Sequence, residues 1–287
     1  MMEDMLNYLQ DILKNKKSEI KTIEELYGNS KNSINKNSMH INSINKTPEN
    51  PCSFNFIKNI NTGRVNIIAE LKKASPSKGM INDGLDIEKT AVLYNKYKSF
   101  ISAISVITEP VHFKGSNRFL KIVKNLSAVP VLRKDFILHE SQVYESADMG
   151  ADAILLICSI LGQKKLNRLY NLAKNIGLDV LVEAHSAEEF RKACETGAKL
   201  IGVNNRNLKS MEVNPDNIKD ILRQADTSGI KDRIIICESA VQDIRYIKEL
   251  YSMGARGFLI GSYFMQSKNL EYDLDEMGSG LKRDGLI

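Results

Sequence analysis

The chain has 287 residues, 43% of them hydrophobic, with 40 basic and 35 acidic residues and a formal charge of +5. That content is enough for a full core, which excludes a disordered chain. The charges are spread without a Lys/Arg block or interleaved aromatics, so a small anionic ligand fits better than nucleic acid. The scattered cysteines Cys52, Cys158, Cys194 and Cys237 form no CxxC pair and have no histidine at metal-ligand spacing. Neither a metal site nor a disulfide framework is expected, and reduced thiols imply the cytoplasm. Charges at Glu3 and Asp4 argue against a secretory leader. The longest apolar run, Ala151–Gly162, contains Asp152 and is too short for a membrane span.

Glu3 to Tyr27 read as an amphipathic helix, with Leu6, Leu9, Ile12 and Leu13 on one stripe that Ile20, Ile23 and Leu26 continue less regularly. Gly28 to Asn61 is rich in Asn, Ser and Lys and reads as a polar loop with a short helical turn. Residues 1–61 are therefore expected to form an extension packed on a catalytic domain of residues 62–287.

From Val65 onward, β-branched runs alternate with amphipathic segments. The runs are Val65–Lys72, Ala103–Thr108, Val129–Asp135, Ala151–Ile157, Leu178–Ala184, Leu200–Asn205, Arg233–Ser239 and Gly257–Gly261. The segments between and after them are Asp86–Lys98, Asn117–Leu126, Glu140–Met149, Gln163–Ile176, Ala187–Thr196, Pro215–Ala225, Gln242–Met253 and a last one near Phe264–Glu276. Gly150, Gly177, Gly197 and Gly254 each close such a segment as a left-handed cap. Eight strand–helix units predict an α/β (β/α)8 TIM barrel with an N-terminal helical extension. The alternative, an open doubly wound sheet, lacks its GxGxxG turn.

In such a barrel the functional groups belong at the C-terminal strand ends, and polar residues collect there. The first run ends with Glu70 and Lys72, placed on one face by the period of two. Lys134 ends the third run, Glu183 the fifth, Asn204-Asn205-Arg206 the sixth and Glu238-Ser239 the seventh. A single such charge is most often a surface residue. Lysines and glutamates converging on one mouth would perturb each other's ionisation and suit acid–base chemistry on a carbonyl compound. Two features suit an anion: the Lys73-Ala74-Ser75-Pro76-Ser77-Lys78-Gly79 loop, and Ile260-Gly261-Ser262 at the start of a helix, a favoured phosphate position.

Ile68–Gly79, Leu132-Arg133-Lys134-Asp135-Phe136-Ile137, Asp152–Ile157, Leu181-Val182-Glu183, Gly202–Leu208 and Glu238-Ser239 resemble, in order, motifs of the indole-3-glycerol phosphate synthases. The likeness spans Val65 to Met265, with a looser match for the first helix. It implies the substrate 1-(2-carboxyphenylamino)-1-deoxyribulose 5-phosphate, no cofactor and no metal. It implies Lys134 as general acid, Glu183 as base, and Glu70 and Asn204 as positioning groups, with Lys72 near the sugar chain assisting dehydration and Glu238 in the catalytic set. Arg206 and Ser75 would hold the carboxylate, and Ser239, Gly261 and Ser262 the phosphate. Pro76, Phe113, Phe136, and Leu155 or its neighbour Leu156 would line a slot for the aromatic ring, the two leucines pointing opposite ways on their strand.

The family usually carries glycine after the serine of the seventh run, where this chain has Ala240. Its methyl is expected to weaken substrate binding before chemistry. Two rival readings are another phosphosugar barrel, such as an isomerase or a Schiff-base aldolase using Lys134, and a catalytically silent barrel kept as a scaffold. The expected partner is a phosphorylated small molecule, with no nucleic acid or membrane, and the chain is expected to act as a monomer.

Overall fold

The structure, a computed structural model, describes residues 2–27, 55–60, 62–225, 230, 232–241 and 243–287. The strands are β1 (Asn66–Leu71), the two-residue β2 (Ala74–Ser75) and β3 (Gly79–Met80), β4 (Ile101–Ile107), β5 (Val131–Lys134), β6 (Ala153–Ile157), β7 (Asp179–Ala184), β8 (Leu200–Asn204), β9 (Ile234–Glu238) and β10 (Ala255–Ile260). β1 and β4 to β10 close into one barrel in which chain neighbours pair in parallel and β10 returns to β1. β2 and β3 form an antiparallel ribbon in the loop after β1.

Alternation along each strand builds two apolar layers. Ile68, Leu132, Leu155, Leu181, Leu200, Ile236 and Leu259 fill the barrel, while Ile67, Ile154, Val180, Ile201, Ile235 and Phe258 face the surrounding helices. Both faces are covered, which is why the runs are continuously apolar.

The helices are α1 (Met2–Tyr27), α2 (Phe56–Asn59), α3 (Ile87–Lys96), α4 (Asn117–Leu126), α5 (Glu140–Asp148), α6 (Gln163–Asn175), α7 (Ala187–Glu195), α8 (Asn217–Gln224), α9 (Ile244–Ser252), α10 (Ser262–Met265) and α11 (Leu270–Arg283). The glycines expected as caps all have positive φ, from 79 to 111°. None of the described helices is long and apolar enough to cross a membrane.

Three expectations need correction. The third strand begins at Val131 rather than Val129, because Pro130 has no N–H to give to a ladder. The last helical segment is two helices, since the Asn269 side chain accepts from the Tyr272 N–H and starts α11 afresh. On α1, Ile12, Ile20 and Ile23 are buried but Leu26 is 74% exposed, so the stripe ends early; the side chain of Leu6 lies outside the described residues.

The polar stretch expected from Gly28 to Asn61 lies outside the described residues except at 55–60, where α2 forms. α2 closes the N-terminal end of the barrel. Phe56 is fully buried, the Ile57 N–H donates to Asp179 Oδ2 at 3.0 Å, and Asn59 Nδ2 donates to the Ser102 carbonyl at 2.6 Å. α1 lies at the opposite end, beside the loops that follow β4 and β5. Tyr8 stacks at 4.5 Å on His112, Lys16 pairs with Asp135, and Glu24 lies 3.2 Å from His139.

Candidate active site

All of the residues expected to form the site except Leu156 border one cavity of about 590 Å³ at the C-terminal ends of the strands. On its floor, Lys134 Nζ bridges two carboxylates, 3.0 Å from Glu183 Oε2 and 3.2 Å from Glu238 Oε2. Lys72 Nζ lies 2.7 Å from Glu70 Oε1, as the period of two on β1 requires. The Asn204 Oδ1 accepts from the Ser239 hydroxyl at 2.8 Å and the Arg206 N–H at 3.0 Å, which leaves its Nδ2 as the donor for a ligand. Arg206 Nη1 donates to the Met211 carbonyl at 2.8 Å, which braces the loop after β8.

The ionisation of this cluster follows from its geometry. Burial opposes the charge on Lys134, but Glu183, Glu238 and Glu70 outweigh it and hold its pKa above that of an ordinary lysine. Burial also opposes ionisation of Glu183, and there Lys134 and His185 prevail, pulling its pKa below the usual carboxylate range. For Glu238 burial wins, helped by the neighbouring charge of Glu183 and opposed by Lys134, and its pKa is pushed up to about 8. At neutral pH the site therefore holds a charged lysine between an ionised and a neutral carboxyl. Two carboxyls driven apart in this way form an acid–base set. A permanently charged Lys134 is the opposite of what a Schiff-base nucleophile needs.

The groups expected to hold the ring and the phosphate come from different strand ends. Phe113 and Phe136 stand 6.3 Å apart at a tilt of 44°, with Pro76, Leu155 and Leu208 on the same cavity. Leu156, the other candidate for the ring slot, packs in the outer layer against the helices. Near the ends of β9 and β10, Ser239 and Ala240 have φ of 64° and 61°, and Gly261 sits where any Cβ would run into Glu70 Oε1 and come within 2.9 Å of Lys72 Nζ. The backbone at Ala240 is thus left-handed, a conformation that disfavours alanine.

Sequence reasoning passed over several contributors. Glu109 is 1% exposed and accepts from the N–H groups of Val111, His112 and Phe113 at 2.8–3.0 Å, shaping the loop that carries Phe113. His185 contacts Glu183 from behind at 3.1 Å, and its position two residues beyond Glu183 was the available signal. The β2–β3 ribbon carries Ser75 and frames Pro76, and its two-residue strands are too short to leave a pattern.

Residues 9–277 match the family model for indole-3-glycerol phosphate synthase. The chain belongs to that family. A Thermoanaerobacter pseudethanolicus indole-3-glycerol phosphate synthase is 41% identical over 230 residues, covering 80% of this chain and 85% of its own length. One from Campylobacter jejuni subsp. jejuni is 42% identical over 205 residues, covering 71% and 77%. Among solved structures, 3-hexulose-6-phosphate synthase from Salmonella typhimurium superposes with a TM-score of 0.59 at 15% identity, over 76% of this chain and 99% of that one. Orotidine 5'-phosphate decarboxylase from Pyrococcus horikoshii gives 0.55 at 12%, over 75% and 99%. These two likenesses show the barrel alone. As an indole-3-glycerol phosphate synthase family enzyme the chain is a decarboxylating lyase of tryptophan biosynthesis. It converts the phosphorylated 1-(2-carboxyphenylamino)-1-deoxyribulose 5-phosphate to indole-3-glycerol phosphate with loss of carbon dioxide and water.

Proposed function

We propose that Lys134 is the general acid of this reaction and Glu183 its base, a reading carried by the Lys134 ammonium held between Glu183 and Glu238. Attack of the carboxylate-bearing ring carbon on the ketone turns the carbonyl oxygen into an alkoxide, a stronger base than an amine. Lys134 hands it a proton despite its own raised pKa. Loss of carbon dioxide restores the aromatic ring. Lys72 then protonates the departing hydroxyl, and Glu183 removes the proton whose loss forms the double bond of the new ring. Two protons given and one taken balance the single proton consumed when a carboxylate leaves as carbon dioxide.

The remaining residues bind and orient. Arg206 and Ser75 take the substrate carboxylate. Ser239, Gly261 and Ser262 take the phosphate, Pro76, Phe113, Phe136 and Leu155 enclose the ring, and Glu70 and Asn204 hold the reacting segment. Glu238, neutral near pH 7, spaces the lysine without quenching its charge. We read the protein as a monomer in which residues 62–287 form the catalytic barrel and 1–61 its extension. The free thiols of Cys158 and Cys237 support a cytoplasmic setting.

The test is the appearance of indole fluorescence when the purified protein meets its substrate, against a background low in a chain with no Trp. Lys134→Ala is expected to lower kcat by about 10²–10⁴-fold. Retention of activity in that variant would remove Lys134 from the acid role.

A further inference from the structure

Glu183 is held by more than Lys134. Its other oxygen, Oε1, lies 3.1 Å from His185 Nε2, and on the far side of the ring His185 Nδ1 lies 3.1 Å from Glu189 Oε2. The backbone secures the same arrangement. The His185 N–H donates to Glu189 Oε2 at 2.8 Å, and the His185 carbonyl accepts from Asn217 Nδ2 on α8 at 3.3 Å. Glu189 sits in the first turn of α7, which Ser186 caps by accepting the Glu189 N–H, so the outer carboxylate is anchored to a helix start. The side chains are 2% exposed at Glu183, 8% at His185 and 22% at Glu189, a line running from the cavity floor toward solvent.

We infer that His185, buttressed by Glu189, is a positioning residue that pins Oε1 of Glu183 and leaves Oε2 as the oxygen turned toward Lys134 and the substrate. The inference rests on the reading of Glu183 as the base. A carboxylate with neither oxygen secured can rotate and offer either one. Held at Oε1 by the ion pair with the ring and placed beside Lys134 at Oε2, Glu183 has one orientation before substrate arrives, which is where preorganisation acts on rate.

The charge distribution supports the same assignment. Burial opposes a proton on His185, but the adjacent carboxylates of Glu183 and Glu189 outweigh it and push its pKa up to about 10. The ring is therefore an imidazolium whose Nδ1 donates to Glu189 Oε2 and whose Nε2 faces Glu183 Oε1 as an ion pair, and it cannot withdraw a proton from Glu183 near neutral pH. The charged groups around it are Glu183 on β7 and Glu189 on α7, with Lys134 of β5 and Glu238 of β9 across Glu183, and Lys192 of α7 beside Glu189. Asn217 supplies the polar contact from α8.

Four variants test this by kcat, KM and the pH dependence of kcat: His185→Asn, Glu189→Gln, Glu189→Leu and Glu183→Gln. His185→Asn is expected to lower kcat about 10- to 100-fold with little change in KM. Its acid limb should move to higher pH by ~1 unit, because Glu183 loses an adjacent cation. Glu189→Leu should lower kcat in the same direction, while Glu189→Gln, which still accepts the Nδ1 proton, should keep most of the activity. A His185→Asn enzyme with kcat within about twofold of wild type, or with an unmoved acid limb, overturns the inference even if its Tm falls. Wild-type kcat in Glu183→Gln would instead overturn the assignment of the base, an outcome recognisable without reference to His185.

Discussion

Lys16 of the N-terminal helix and Asp135 at the end of β5 form a 2.8 Å ion pair with side chains only 2% and 1% exposed. Asp135 directly follows Lys134. Its other oxygen accepts the Thr108 hydroxyl at 2.6 Å and lies 3.2 Å from Arg133 Nη2. Burial opposes the Asp135 charge, and Lys16 and Arg133 overcome it, so its pKa lies below the ordinary value of 3.8. Lys16→Met is expected to lower unfolding stability by about 3 kcal/mol in urea titrations at pH 7. A carboxyl with a lowered folded pKa contributes stability above its unfolded pKa and loses it as pH falls through the folded one. The deficit of the variant should therefore shrink on acidification below about pH 4. A deficit that stays constant with pH would show that packing, not the ion pair, carries the effect.

Glu238 produces the opposite dependence. Its pKa rises from 4.5 to about 8 on folding, chiefly through burial, so the stability tied to its proton is complete below about 4.5 and is lost as pH rises through about 8. Glu238→Gln should therefore raise Tm at pH 9 and leave it nearly unchanged at pH 5, by about 2–4 °C for each kcal/mol relieved. The same variant should lose kcat. Melting curves at the two pH values check the first expectation, and an equal rise at both would contradict it.

Ala240 occupies a left-handed conformation, φ 61°, directly after Ser239 at φ 64°. Ala240→Gly should stabilise the protein by about 1 kcal/mol by relieving that strain. It should also lower KM, because the relaxed backbone lies where the substrate phosphate is proposed to bind. Thermal melts and inhibition by inorganic phosphate measure the two effects separately. No gain in either would mean that the surrounding loop already accommodates the methyl group.

Gly261 tests the crowding at the end of the neighbouring strand, β10. In Gly261→Ala the new methyl meets Glu70 Oε1 and Lys72 Nζ, so it must move the pair that lies 2.7 Å apart. A drop in kcat/KM of ~100-fold is expected, comparable to the effect of displacing a reacting group by about 1 Å. Titration of substrate turnover checks it, and near-normal kcat/KM would mean that the Glu70–Lys72 geometry tolerates displacement.

The barrel and much of its candidate site were legible because strands repeat every two residues, so Glu70 and Lys72 could be placed on one side, and Lys134, Glu183 and Glu238 at strand ends, from the sequence alone. Lys16 could not be found this way. It stands among Lys14, Lys17 and other charges on a helix face, and its burial depends on Asp135, a partner far along the chain. His185 satisfied the period of two, but its meaning depends on Glu189, which belongs to the next helix and comes into range only when β7 and α7 turn against each other. The break before α11 depended on one capping side chain, Asn269, and an apolar pattern that runs through it conceals the stop.

The floor helix α2 has a consequence for how the molecule is made. Ile57 leaves the ribosome well before Asp179, the residue 122 positions later that accepts its N–H. At about 5–20 residues per second that is a wait of roughly 6–24 s, during which Phe56 has no barrel to plug. The first strand waits longer, since Asn66 pairs with Gly257 at the other end of the chain. Closure of the ring and seating of its floor are thus late events of synthesis, and until then the nascent half-barrel exposes an apolar inner face and an open strand edge for a chaperone to shield.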